Sequence, residues 1–198
     1  MARALEFWFE FASTYSYPAA MRIQDACAQA AVPLIWRPIL LGPIFAAQGI
    51  SGSPFTLYPA KGANMWRDME RLCADAGLAF RKPGDFPRGS LLAARIAAHH
   101  ADAPWIGDFV RAVYLANFAE DHDIGQPAVL IDILTGLALD PEPVLEAAQN
   151  PDTKAHLRQL TEQAQTKGLF GAPSFTIGDE LFWGHDRLDQ AVRWAALA

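Results

Sequence analysis

The chain has little sulfur chemistry available to it. Only two cysteines occur in 198 residues, Cys27 and Cys73, far apart and both within predicted helices. That excludes a disulfide framework and a Cys-based zinc site, and makes a reducing cytoplasm the expected location. There is no excess of positive charge. A net charge of −6 and a pI near 5.3 give no electrostatic case for a nucleic-acid or anionic-membrane partner. No apolar run reaches the roughly 18 residues of a spanning helix. The N-terminal segment carries Glu6 and Glu10 among its apolar residues and lacks the plan of a signal peptide. Repeats and low-complexity tracts are absent. What the chain does have is 52% hydrophobic residues, with six Trp and twelve Phe, enough for a sizeable core and for aromatic walls around a pocket.

LEFWFEF alternates Leu5, Phe7, Phe9 and Phe11 with Glu6, Trp8 and Glu10, a period of two that predicts a strand. From about Ser16 to Ala30 the chain is Ala-rich with apolar residues every three or four positions, which predicts a helix with Pro18 in its first turn. PLIWRPILL (33–41) is a second strand, and the Gly/Pro/Ser-rich stretch after it reads as loop with a short helical piece. A long helical block follows, in which Ser90 is a candidate cap for LLAARIAAHH. APSFTIGDELFWG then reads as a hairpin turning near Gly178-Asp179, and a helix closes the chain. A β-α-β unit separated from a β-β-α unit is the plan of an α/β, thioredoxin-like fold with a mixed sheet and a large all-helical insertion. The expected division is 1–45 and 165–198 for the thioredoxin-like domain and 46–164 for the insertion.

In such a plan the first strand-to-helix turn carries C-x-x-C. Here it carries Ser13-Thr14-Tyr15-Ser16, so thiol–disulfide exchange with the chain's own residues is excluded. Capping of the helix by a hydroxyl is the ordinary explanation of such serines. The alternative is that a helix N-terminus with a hydroxyl donor stabilises a borrowed thiolate, since these features lower a thiol pKa. Pro173 in GAPSFTI stands where this plan holds a cis-proline facing the turn. A trans-proline at a strand start is the plainer expectation from sequence alone. A cis bond would present the Ala172 backbone to an extended peptide.

The chain resembles the 2-hydroxychromene-2-carboxylate isomerase family, relatives of kappa-class glutathione transferases and DsbA-type oxidoreductases. The resemblance is carried by FWFEFASTYSYPAA, WRPILLGPIFAAQG, KGANMWRDMERLCADAGLAF, FPRGSLLAAR and GLFGAPSFTIGDELFWGHDRLD, in that order over nearly the whole chain. Where that family usually has Ser-Pro-Tyr-Ser or Ser-Pro-Phe-Ser, this chain has Thr14 in place of proline. Gly89 stands where many isomerase-type members carry Asn. The resemblance implies glutathione as cofactor, an aromatic carboxylate as substrate, and a homodimer. It implies Ser13 as the catalytic residue hydrogen-bonded to the glutathione sulfur, with Thr14, Ala172 and Pro173 around it. His185 and Asp186 would hold the γ-glutamyl end. Arg37, Lys61, Asn64 and Trp66 are further candidates for substrate contact, a cation being expected opposite a carboxylate.

Three readings of function stay open. One is a glutathione-dependent isomerase interconverting 2-hydroxychromene-2-carboxylate and trans-o-hydroxybenzylidenepyruvate, or a related aromatic catabolite. The others are a kappa-like transferase or peroxidase, and a non-catalytic binding module. No metal is expected: AEDHD (119–123) has acidic and His residues but no second ligand cluster, and reads as a solvated turn.

Overall fold

A computed structural model describes residues 2–197. Strands β1 (Leu5–Phe9), β2 (Leu34–Pro38), β3 (Ser174–Ile177) and β4 (Glu180–Trp183) form one sheet in the order β2-β1-β3-β4. β1 and β2 are parallel, with Leu5 opposite Leu34 and Phe9 opposite Pro38. β1 and β3 are antiparallel, with Phe7 opposite Phe175, and β3 and β4 form the expected hairpin. Gly178, at φ +61°, occupies its turn in the left-handed region that favours glycine. The sheet is therefore mixed, as the element order predicts, and Pro38 sits on an edge strand where its missing N–H is tolerated.

Helix α1 (Ser16–Gln29) makes the crossover from β1 to β2. The segment after β2 is more helical than the sequence suggests, containing α2 (Leu41–Ala47), α3 (Pro54–Leu57) and α4 (Pro59–Asp75). The block continues through α5 (Leu91–His99), α6 (Ile106–Phe118), α7 (Pro127–Gly136), α8 (Pro141–Gln149) and α9 (Pro151–Thr166). A 3-10 turn, His185–Arg187, leads into α10 (Leu188–Leu197). Proline occupies the first turn of α3, α4, α7, α8 and α9, where no N–H is needed. The division expected at 45/46 falls within α2, and that at 164/165 within α9.

Alternation along β1 does not separate inside from outside, because helices cover both faces. Phe7, Phe9 and Phe11 form an aromatic row: Phe7 stacks on Phe175 with centroids 5.6 Å apart, Phe9 meets Trp36 edge-on, and Phe11 packs on Tyr114. This row belongs to a buried cluster that includes Ile23 of α1, Met65 of α4 and Phe109 of α6, so insertion helices and sheet share one core. On the opposite face Trp8 is fully buried with Ile39, Ile44, Ala164 and Leu169. Its indole N–H donates to Thr176 Oγ1 (2.9 Å), whose hydroxyl donates to Glu6 (2.7 Å). Among the described residues no helix is long and apolar enough to cross a membrane.

Candidate functional site

Where β1 gives way to α1, the chain turns through residues 10–15, and Ser13 N–H donates to the Glu10 carbonyl (2.9 Å). None of the serines caps the helix: Tyr15 occupies the cap position and no side chain bonds the first-turn amides. Hydroxyl capping is thus not the use of Ser-x-x-Ser. The first turn of α1 also lacks an acidic residue, so the positive end of its dipole has no counter-charge from within the helix. Ser13, half-buried, donates its hydroxyl to the Ala172 carbonyl at 2.9 Å, across 159 residues of sequence. Thr14 is buried and its hydroxyl is turned away, donating to Met65 Sδ (3.1 Å). Ser16 is fully buried beneath the turn.

Ala172–Pro173 is a cis bond, and Phe86–Pro87, which the sequence analysis does not single out, is another. The hairpin returns the chain to this point: Gly184 N–H donates to the Pro173 carbonyl (2.9 Å). Gly184 has φ +108°, and a Cβ there would lie 2.5 Å from Asp186 Oδ1, so glycine is required to set His185 and Asp186 beside Pro173.

These residues open onto a mostly apolar cavity of about 1440 Å³. Small-ligand pockets typically run to about 300–1,000 Å³, so this one has room for a tripeptide and a second molecule together. Ser13, Thr14, Ala172, Pro173, His185 and Asp186 all line it, as do Lys61 and Asn64. The other two candidates do not. Arg37 is turned onto Glu6, its Nε donating to that carboxylate (2.9 Å) and its guanidinium 5.9 Å from the Trp8 ring. Its charge is already committed. Trp66 stands behind the wall, packed edge-on against Phe86 at 4.8 Å with Lys82 over its face. Phe86 takes the lining position instead.

The charges in the cavity differ in availability. Asp186 is exposed and pairs only loosely with Arg187 (3.6 Å), a contact of little energy at a wet surface. His185 stacks on Tyr15, with centroids 5.5 Å apart and planes 13° from parallel. Burial lowers its pKa, against the opposing pull of Asp186 and Asp68, which favours the neutral ring. Lys61 is exposed, with its ammonium 5.7 Å from the Phe55 ring and no ion pair among the described residues. Arg88, by contrast, is buried and spent: it donates to Asn117 Oδ1 (3.2 Å), to the His122 carbonyl (2.8 Å) and to the Asp121 carboxylate. AEDHD thus has a structural role, with Asp121 on Arg88 and Asp123 accepting from Gln126 (2.8 Å).

Three residues that line the cavity escape a reading of the sequence. Tyr15, an unremarked x in Ser-x-x-Ser, donates to Asp68 Oδ2 of α4 (3.0 Å) and so ties the turn to the insertion. Asp68 lines the cavity 53 residues away, which no local pattern announces. Glu10 also lines the cavity; an acidic residue inside an apolar strand is its visible signal. Both cysteines, meanwhile, are buried, and burial pushes each thiol up to about 11. The site offers a helix mouth, one rotatable hydroxyl and a free cation, and the chain has no reactive sulfur of its own.

The sequence model of the DSBA-like thioredoxin domain matches residues 4–193. The chain is 28% identical over 189 residues to a 2-hydroxychromene-2-carboxylate isomerase of Sphingobium xenophagum, covering 96% of each protein. It is 24% identical over 208 residues to glutathione S-transferase kappa 2 of Caenorhabditis elegans, covering 98% of this chain and 92% of the other. Among solved structures, a 2-hydroxychromene-2-carboxylate isomerase superposes with a TM-score of 0.83 at 21% identity, over 94% of this chain and 91% of that one.

Proposed function

We propose, from the premise that this chain belongs to the DSBA-like thioredoxin domain family, that it is a glutathione-dependent isomerase of aromatic keto-acids. The substrate pair is 2-hydroxychromene-2-carboxylate and trans-o-hydroxybenzylidenepyruvate, or a close relative. The observation that carries this reading is Ser13: its hydroxyl sits at the mouth of α1 opposite Ala172–Pro173, in a chain whose two thiols are buried and protonated. The similarity to a named isomerase over 96% of both chains supports it.

The residues fit the cofactor. The N-terminus of α1, with no acidic residue in its first turn, favours an anion at the position Ser13 faces. Glutathione bound there would supply a thiolate nucleophile for reversible addition to the conjugated carbon of the substrate, the chemistry that frees its double bond to rotate. Ser13 responds by rotating its hydroxyl from the Ala172 carbonyl to the sulfur, exchanging a neutral hydrogen bond for a charge-assisted one. The backbone beside Pro173 pairs with the tripeptide as an added strand would. Asp186 faces the γ-glutamyl ammonium, and the neutral His185 ring accepts or donates a hydrogen bond beside it. Lys61 is the cation for the substrate carboxylate, since Arg37 and Arg88 are both committed elsewhere and Arg187 lies against Asp186. Apolar walls such as Phe55 and Phe86 receive the aromatic ring and exclude water.

The test is spectrophotometric conversion of trans-o-hydroxybenzylidenepyruvate with and without glutathione. Conversion that requires glutathione is the expected result; conversion at the same rate without it would overturn the reading. The similarity to a kappa-class transferase supports a second reading, conjugation of an electrophile. Accumulating conjugate and falling free glutathione would favour that one, because isomerisation returns the thiol.

A further inference from the structure

The function proposed above makes no use of Glu10, yet its side chain is among the most confined polar groups of the site. It is 7% exposed and lines the cavity three residues before Ser13. One carboxyl oxygen accepts the Ala12 amide (3.0 Å), and the other accepts the Ser90 hydroxyl at the start of α5. Ser90 therefore serves the carboxyl and does not cap its helix. No cation pairs with Glu10 among the described residues. Arg88, two residues before Ser90, is turned onto Asp121, Asn117 and His122. Tyr114 of α6 reaches only the Glu10 main-chain carbonyl (2.9 Å). The remaining charged groups lining the cavity are Lys61 and Asp68 of α4, and Asp186 and Arg187 beside the half-buried His185. Lys61, Asp186 and Arg187 stand in solvent.

A buried carboxylate without a cation is costly, and a second anion close by makes it more so. Two such groups share a proton and titrate as a pair. We propose that Glu10 keeps the base of this cavity at one negative charge, taking up the thiol proton when a thiolate occupies the mouth of α1 and returning it when the thiolate is lost. The inference rests on the glutathione reading of the site. In the forward step the S–H bond breaks and an O–H bond forms on Glu10; the reverse step restores both, with no electron transferred. The Ser90 contact serves either state, because a hydroxyl donates to a carboxylate and accepts from a carboxylic acid. Burial pushes the Glu10 carboxyl up to about 7, with hydrogen bonds from Ser90 and Ala12 opposing, so the exchange is possible near neutrality.

The experiment follows the Glu10 carboxyl by carbon-13 NMR across neutral pH in the full-length protein, assigned with E10Q. It is run with and without saturating glutathione, binding being checked separately by calorimetry. Glutathione is expected to raise the Glu10 midpoint by about one pH unit, the lower end of what a neighbouring charge imposes. In E10Q the ultraviolet absorbance of the bound thiolate is expected to titrate about one pH unit lower than in the wild type. S90A removes the donor that favours the charged carboxyl, and its Glu10 midpoint should rise even without ligand. Binding with an unmoved Glu10 midpoint, or equal thiolate midpoints in E10Q and wild type, overturns the coupling alone. No binding by calorimetry overturns the glutathione reading together with the coupling.

Discussion

Replacing Glu10 by Gln should change the pH dependence of stability in one definite window. The ordinary carboxyl value is 4.5 and burial raises Glu10 to about 7, so between these two the folded chain binds a proton that the unfolded chain releases. A folded-state pKa raised in this way gives stability that is fully present below about 4.5 and is lost as pH rises through 7. At about 1.4 kcal/mol per unit, the interval of roughly 2.5 units corresponds to about 3 kcal/mol. At 7% exposure the carboxyl is screened only weakly, so the discount for solvent is small. The carboxamide introduced by E10Q does not titrate, and it retains an acceptor for the Ala12 amide and a donor for Ser90. Urea denaturation of both proteins at a series of pH values isolates the effect, since every other titrating group cancels in the difference. The advantage of E10Q over wild type should grow by about 3 kcal/mol across the window and be constant on either side. Against a total of about 5–15 kcal/mol this is readily measured. A difference independent of pH between 4.5 and 7 would refute the argument and show that water or a cation reaches the carboxyl.

Ser13→Ala should sharply lower turnover while costing about 1 kcal/mol of stability, one partly exposed hydrogen bond; thermal melting should fall by roughly 2–4 °C, and unchanged turnover removes Ser13 from the chemistry. Tyr15→Phe keeps the stack on His185 but loses the Asp68 contact, so it should cost about 1 kcal/mol in urea denaturation with glutathione affinity little changed. Gly184→Ala should cost roughly 1–3 kcal/mol for its left-handed backbone and also weaken glutathione binding in calorimetry, because the new Cβ displaces Asp186. A thiol reagent followed by mass spectrometry should modify neither cysteine in the folded protein at neutral pH and both after denaturation.

Much of the fold is readable from local pattern. The period of two in β1, the helical spacing of α1 and the glycine at the hairpin turn each act over a few residues, and the order of elements then limits the topology. The site is partly readable for the same reason: Ser13, Ala172–Pro173 and Gly184–Asp186 lie at element junctions, which a thioredoxin-like plan brings together. Pairings across the sheet and across the insertion are not local. Arg37 resembles a ligand cation until the register sets it diagonally across from Glu6. Trp8 reads as the polar face of an amphipathic strand because the sequence does not announce that Ile44 and Ala164 cover it. Ser90 reads as a cap until Glu10, eighty residues earlier, claims its hydroxyl. Trp66 and Phe86 differ in which one faces the cavity only through the packing of α4 against the loop before α5.

The hydrogen bond from Gly184 to Pro173 makes a ruler of the β3–β4 hairpin. The Ala172–Pro173 backbone, proposed to meet the sulfur-bearing part of the tripeptide, lies at one foot of the hairpin, and Asp186, proposed to meet its far end, lies at the other. Both feet are fixed to each other and to the central strand β1. The distance between the two recognition points is therefore written in backbone pairing and not in flexible side chains. Substitutions along the outer face of β4 can accumulate without altering that distance. A one-residue deletion at the Gly178 turn, remote from the cavity, would slip β4 against β3 and carry the Gly184–Asp186 foot away from Pro173.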